Sequence, residues 1–274
     1  MSNATEDVTA DEAQELPESR GATTQVRHRE ILEILRREGR LDVAPGAARL
    51  GITPETLRRD LRTLERVGRI RRTYGAAFPV ESGRFESPAE AREGAISEEK
   101  LRIAEAAVRQ LGHEQTLFID EGFLPQLVAR ALPERGRYTI VTPSLPTANE
   151  LAQRPELEVL LLGGRVRGVS LGTVDHWATA MLAGFVIDIA FMGASGVSVE
   201  FGVTTPDPAV AAVKRAALAV SRRRLLVGAH TKFGVASFSR FADLDDFELL
   251  ITGEQLPTHR AQVFTSLGAR VMRV

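Results

Sequence analysis

Apolar positions in this chain recur first with a helical period and later in short continuous runs, and the change falls near residue 97. Residues 1–22 are polar, acidic and short of large apolar groups, which predicts disorder. From Arg27 to Glu38 the residues Ile31, Ile34 and Leu35 recur at helical spacing, and Gly39 ends the run. In LDVAPGAARLGIT (41–53), Val43, Ala47 and Leu50 line a short second helix; Pro45 fits only in its first turn and Gly46 weakens it. A third helix starts with Thr53 as N-cap, Pro54 in the first helical position and Glu55 facing the positive end of the helix dipole. Leu57, Leu61, Leu64 and Val67 make one apolar stripe, with Arg58, Arg59, Arg62 and Arg66 largely off it, and Gly68 stops the helix. RIRRTYGAAF (69–78) then reads as a strand, a turn at Gly75 and a return strand, a short β-wing.

Residues 79–96 carry two prolines in mixed polarity and read as an interdomain linker. From Ser97, helices alternate with short apolar strands such as TLFID, TIVTP, EVLLLGG, DIAFMGA and RLLVGA. That alternation predicts an α/β domain over 97–274, with a mostly parallel sheet and helices on both faces. The expected organisation is an acidic tail (1–22), a winged helix-turn-helix (23–78), a linker (79–96) and the α/β body.

Charge sharpens the first part of this picture. The formal net charge is only −1, yet residues 1–19 hold six acids and no base, while residues 20–80 hold fourteen arginines against seven acids. A basic module of this kind is the electrostatic footprint of nucleic-acid binding. The leucine stripe pins the third helix to the first two and leaves Arg58, Arg59 and Arg62 to enter a major groove, where a guanidinium binds guanine edges or phosphates at two points. Thr53 and Thr56 at the helix start suit phosphates or nearby base edges, and Arg69, Arg71 and Arg72 on the wing, with Tyr74 beside them, are expected to contact backbone phosphates. An alternative is a solvated surface helix, with ion pairs from Asp60 or Glu55 to Arg59. It explains one or two arginines, but not seven within residues 53–77.

The run Thr53, Thr56, Leu57, Arg58, Arg59, Asp60, Leu61 resembles the helix-turn-helix of the DeoR family of bacterial regulators. Arg27, Ile31 and Leu35 match the upstream helix, and RTYGAA resembles the family's wing, with Tyr74 for the usual His and Ala76 for a Gly. Gly46 replaces a usual Leu, so a looser second helix is expected. The resemblance implies that Asp60 orients an arginine and does not face phosphate. It extends over residues 97–274, implying a sugar-isomerase-like sensor of a phosphorylated sugar or related metabolite, a homo-oligomer, and double-stranded operator DNA as partner.

Ligands of such sheets sit at the carboxyl ends of strands. Glycines there allow close approach and leave amides free for phosphate, and lysines supply point charges. The effector candidates are Asp120, Gly122, Thr142, Ser144, Gly163, Gly164, Arg165, Ser195, Gly196, Thr204, Lys214 and Lys232. The chain departs from the pattern of the family it resembles at several of these ends. Asp-x-Gly-Thr-Thr has become Asp120, Glu121, Gly122, Phe123, Leu124; an Asn is Pro143; and an Asp is Ala229. The expectation is a persisting basic anion subsite whose hydroxyl-recognising half has changed. The effector is then a less polar or differently phosphorylated metabolite, or there is none.

Other chemistry is weakly represented. The chain has no cysteine, which removes disulfides, thiolate metal sites and a cysteine nucleophile. The five histidines are scattered without ligand spacing, and no nucleotide-binding, nucleophile-elbow or zinc-protease motif is present. No cofactor, metal or catalytic residue is expected. No apolar run reaches the ~20 residues of a membrane span, and no signal pattern opens the chain, so the expected compartment is the cytoplasm. Two rivals to an effector-controlled repressor stay open: a constitutive DNA-binding regulator with an inert body, and a sugar-isomerase-class enzyme.

Overall fold

The computed structural model describes residues 18–38, 41–66, 69–73, 75–79 and 98–274. The expected tail before residue 18 and the linker from 80 to 96 lie outside the described residues, as do Val67, Gly68 and Tyr74.

The N-terminal unit contains α1 (Glu18–Glu38), β1 (Leu41–Asp42), α2 (Val43–Arg49), α3 (Pro54–Arg66), β2 (Ile70–Thr73) and β3 (Ala76–Pro79). The first helix begins at Glu18, ahead of the Arg27 start that periodicity suggested, so residues 18–22 are helical backbone where disorder was expected. Its core joins Ile31, Ile34 and Leu35 to Leu41, Val43 and Ala47, and to the α3 stripe Leu57, Leu61 and Leu64. Each of these leucines, at 0–4% exposure, contributes on the order of 1.5–3 kcal/mol of burial. Pro45 falls in the first turn of α2, where its missing N–H does no harm.

Gly46 is not a loose point. It is buried, and a Cβ there would stand 2.6 Å from Leu41 Cδ1 and 3.3 Å from Leu57 Cδ2. Glycine lets α2 press directly on these leucines, so the position is closely packed. The wing forms as expected, with Arg72 opposite Ala77 and Gly75 in its turn at φ 81°. Periodicity did not reveal β1, which pairs Leu41 with Ala77 and makes the hairpin a three-stranded sheet.

The second unit is built on a seven-stranded sheet in the order β15-β14-β12-β9-β4-β5-β6, parallel throughout. Its strands from the β6 edge inward are β6 (Leu157–Leu161), β5 (Tyr138–Thr142), β4 (Thr116–Ile119), β9 (Ile187–Gly193) and β12 (Ser221–Val227). β14 (Leu249–Thr252) and β15 (Val271–Arg273) complete it. Alternation sorts their side chains. Leu117, Ile119, Ile189 and Phe191 pack with α4 (Glu98–Val108), α5 (Phe123–Arg130) and α6 (Leu145–Leu151). Phe118, Ala190, Met192 and Leu226 pack with α7 (His176–Leu182), α8 (Pro208–Ala219) and α9 (Thr258–Ser266).

Both sheet faces are therefore covered, which is why its strands read as continuous apolar runs. Two smaller sheets carry no such signature. One is the hairpin of β7 (Arg165–Val166) and β8 (Thr173–Val174). The other is an antiparallel trio of β10 (Gly196–Ser198), β11 (Gly202–Thr205) and β13 (Ser239–Ala242).

Candidate functional site

The basic face of α3 is set by what lies beneath it. Leu57, Asp60, Leu61 and Leu64 are buried, and Arg58, Arg59, Arg62 and Arg66 are exposed. Thr53 caps the helix, its Oγ1 accepting from Thr56 N at 3.1 Å. Glu55 pairs with Arg58 at 3.3 Å and with Arg62 at 2.9 Å; Arg59 and Arg69 are exposed and pair with no described residue. Exposed pairs of this kind are weak and exchange readily for a phosphate or a base edge. Arg71 is in register with Phe78 in the β2–β3 ladder.

Two acidic side chains hold this face in shape. Asp60 is 4% exposed and accepts from Arg27 Nε at 2.5 Å and Nη2 at 3.0 Å, with His28 Nε2 at 3.2 Å. Burial works to raise its pKa, but the hydrogen bonds and charges of Arg27 and His28 outweigh it and hold the carboxyl below its ordinary value. Asp60 does orient an arginine, but that arginine is Arg27 on α1, not Arg59 beside it on α3. Glu65 accepts from Arg72 N at 3.0 Å and Arg72 Nε at 2.9 Å, clamping the wing to the helix. Arg72 is thus engaged inside the module, where the sequence suggested a free phosphate contact.

In the body, strand order reverses between β4 and β9: β5 and β6 follow on one side, β12, β14 and β15 on the other. That is the switch point at which open α/β sheets hold ligands. Asp120 closes β4 there at 0% exposure, its Oδ2 accepting from Gly193 N at 2.8 Å and its Oδ1 from Glu121 N at 2.8 Å. Lys214, reaching down from α8, bonds the same Oδ2 and donates to Gly193 O at 3.1 Å. Two sequence candidates separated by 94 positions are thereby joined in one buried ion pair.

The other candidates fall into distinct places. Gly122 precedes α5 with φ 109°. Thr142 and Ser144 are buried at the end of β5 with their hydroxyls used internally, Thr142 Oγ1 accepting from Ser144 N and Ser144 Oγ capping α6. The neighbouring Thr147 Oγ1 is buried with no hydrogen-bond partner. Gly196 and Thr204 belong to the small antiparallel sheet, where Thr204 donates to Gly196 O and accepts from Ser237 N, and Ser195 just before it donates its N–H to Thr204 O at 3.0 Å. Lys232 ends a 3-10 turn, His230–Lys232.

Gly163, Gly164 and Arg165 line a separate open cavity of about 550 Å³ with Asp175, His176, Trp177 and Met181. There Arg165 pairs with Asp175 at 2.9 Å. Phe123 and Leu124, which stand where the family has hydroxyls, belong to the apolar core with α4 and α5. Leu124 is 9% exposed, and Lys100 stands 5.3 Å above the Phe123 ring.

Sequence reasoning missed the partners that complete these sites. Arg167, Ser170 and Asp207 gather around Glu121, and Glu99 accepts from the backbone N of His230 at 2.7 Å, with its Nδ1 at 2.8 Å. Burial tends to raise Glu99, and the bonds from His230 with the charge of Lys100 leave it below its ordinary value. Glu99 on α4 is thus the carboxylate beside the turn that follows Ala229, 131 positions from its partner His230. Among the described residues, no group of three or more metal-ligating side chains could hold an ion, and no helix is long and apolar enough to cross a membrane.

Comparison with known proteins agrees with this geometry. Residues 27–82 match the DeoR-like helix-turn-helix domain, and residues 96–254 match the DeoR C terminal sensor domain. The chain belongs to the DeoR family. It is 33% identical over 246 residues to the HTH-type transcriptional regulator GlpR of Haloferax volcanii, covering 90% of this chain and 96% of that protein. It is 30% identical over 240 residues to the glycerol-3-phosphate regulon repressor of Escherichia coli K12, covering 87% and 94%. Among solved structures, ribose 5-phosphate isomerase A of Methanocaldococcus jannaschii matches 49% of this chain and 53% of its own at 16% identity and a TM-score of 0.37, a distant likeness. This DeoR-family chain is a DNA-binding transcriptional regulator and not an enzyme, and its Asp120–Lys214 pair is a closed internal contact.

Proposed function

We propose that the protein is a repressor of carbohydrate or related catabolic genes, acting in the cytoplasm as a homo-oligomer on double-stranded operator DNA. A DNA-binding head over residues 23–78 and a sensor over residues 97–274 divide the work. The observation that carries the reading is the sorting of α3 into a buried leucine stripe and an exposed face bearing Arg58, Arg59 and Arg62. Arg59 and Arg69 are ready for DNA, Arg58 and Arg62 exchange Glu55 for it, and Thr53, Thr56 and Arg71 flank the contact. Arg72 serves by holding the wing against Glu65.

The effector is a small phosphorylated metabolite bound at the β4–β9 switch point, and release requires that it favour the DNA-free conformation. Its relatives named for the glycerol-3-phosphate regulon make a three-carbon polyol phosphate the first choice of probe. Fluorescence anisotropy on DNA from upstream of the protein's own gene tests the reading. Binding that weakens steeply with salt, and weakens again with glycerol 3-phosphate, is the expected result. Affinity that no phosphorylated metabolite changes points to a constitutive regulator.

A further inference from the structure

Glu121 is the acidic side chain at the switch point that neither DNA binding nor the Asp120–Lys214 pair uses. It follows Asp120 directly and is 8% exposed. Its Oε2 accepts from Ser170 Oγ at 2.7 Å, while Ser170 Oγ accepts from Arg167 Nη1 at 3.1 Å and from Gly172 N at 3.4 Å. Arg167 Nη1 lies 3.7 Å from Glu121 Oε1, and Arg167 Nε lies 3.0 Å from Asp207 Oδ2. Asp207 in turn caps α8, the helix that carries Lys214.

The seat is shaped around this carboxylate. A Cβ at Gly172 would stand 1.8 Å from Glu121 Oε2, so a side chain there would have to push this carboxylate out of its seat. The loop bearing these groups lies across the end of β5, with Leu145 N bonded to Leu171 O and Thr173 N to Pro143 O. Among the described residues, the carboxylates Asp120, Glu121 and Asp207 face Arg167 and Lys214 here. A phosphate entering this arrangement meets a third carboxylate where it would look for an unclaimed cation.

We propose that Glu121 is a tethered counter-anion: it occupies the anion-holding position between Ser170 and Arg167, latches loop 167–172 over the strand ends, and must be displaced before a phosphorylated ligand can bind. Displacement frees the loop, and this couples ligand binding to a second conformation of the sensor. The inference rests on reading the body as a sensor of phosphorylated metabolites.

The test titrates the full chain and its Glu121→Gln and Glu121→Ala variants with inorganic phosphate and with glycerol 3-phosphate by calorimetry. Wild-type hydrogen-exchange protection across β4, β9 and α8 confirms that the body of each variant is folded. Removing the carboxylate should tighten binding roughly tenfold, within the usual span of site-to-site coupling. A second readout needs no variant: trypsin should cut wild-type protein after Arg167 faster when glycerol 3-phosphate is saturating. Equal affinities for wild type and both variants, or ligand-independent cleavage at Arg167, overturn the role of Glu121 and leave the sensor reading standing. No binding of either probe to any form removes the sensor reading and this inference together.

Discussion

The head and the body of this regulator handle charge in opposite ways. The head puts its arginines outside, over a leucine core, and buries one carboxylate under them. The body buries its charges against each other at a strand switch point, where Asp120, Lys214, Glu121 and Arg167 are all 11% exposed or less. Exposed charge reaches a large polyanion without desolvation, whereas buried charge must be paired and can discriminate among small ligands. Removing a charge should therefore affect stability in the body and affinity on the surface of the head.

The strongest test of that contrast is Lys214→Met. It leaves Asp120, at 0% exposure, with two backbone donors and no cation. Breaking a buried pair by removing one partner costs on the order of 3–5 kcal/mol. Hydrogen exchange followed by mass spectrometry should show that loss across β4, β9 and α8, with protection in α1–α3 unchanged. Wild-type protection in the body would mean that the pair is not what holds the switch point together.

Asp60→Asn is the corresponding test in the head and should be milder. Arg27 is 20% exposed and can turn to water, so the expected loss is about 2 kcal/mol, below the buried-pair range. The readout is the urea midpoint of exchange in α1 and α3. Operator affinity should fall only as far as the head unfolds. A folded variant with lost DNA binding would place Asp60 in the interface itself.

What the sequence disclosed follows the same division. The α3 stripe, its N-cap and the wing were legible because helix period, capping chemistry and turn glycines are local signals. The parallel sheet was legible because strands buried on both faces read as apolar runs. β1 has only two residues, and the strands of the antiparallel trio mix glycine and polar residues with apolar ones, so neither left an apolar run. The partners of Asp60, Glu121 and Glu99 lie 33, 49 and 131 positions away, and no local pattern records such distances. Gly46 misled because a missing side chain looks like weakness in sequence, whereas in the structure it is the space that Leu41 and Leu57 fill.

Arg59→Ala probes the outer face alone. The side chain is exposed and unpaired with any described residue, so stability should stay within about 0.5 kcal/mol of wild type. Operator affinity should drop by about 1–3 kcal/mol if Arg59 reads a base. If it meets only phosphate, binding should weaken on all sequences alike, with the salt slope reduced by about 1. Anisotropy titrations at several salt concentrations, on operator and on scrambled DNA, separate these outcomes. No change in either would move the interface away from α3.

The smallest effect expected is in pH dependence, where the buried carboxylates Asp60 and Glu121 have opposite signs. Asp60 is held below its ordinary value, so its contribution is complete above the unfolded pKa of about 4 and is lost only as pH falls through the lower native value. Burial pushes Glu121 the other way; the charge of Lys214 and the Ser170 hydrogen bond only partly offset it. The folded body therefore holds that proton more tightly than the unfolded chain, and its stability should decline as pH rises from about 4 through the native value. Glu99, Glu114, Asp188 and Glu248 are all lowered, so none of them contributes slope above the ordinary carboxylate range. Subtracting the Glu121→Gln profile from wild type cancels the remaining groups, including the histidines. That difference should fall with rising pH in the body. A flat difference would show that the Glu121 charge is fully compensated where it sits, and the contrast between head and body would then rest on Asp120 and Lys214 alone.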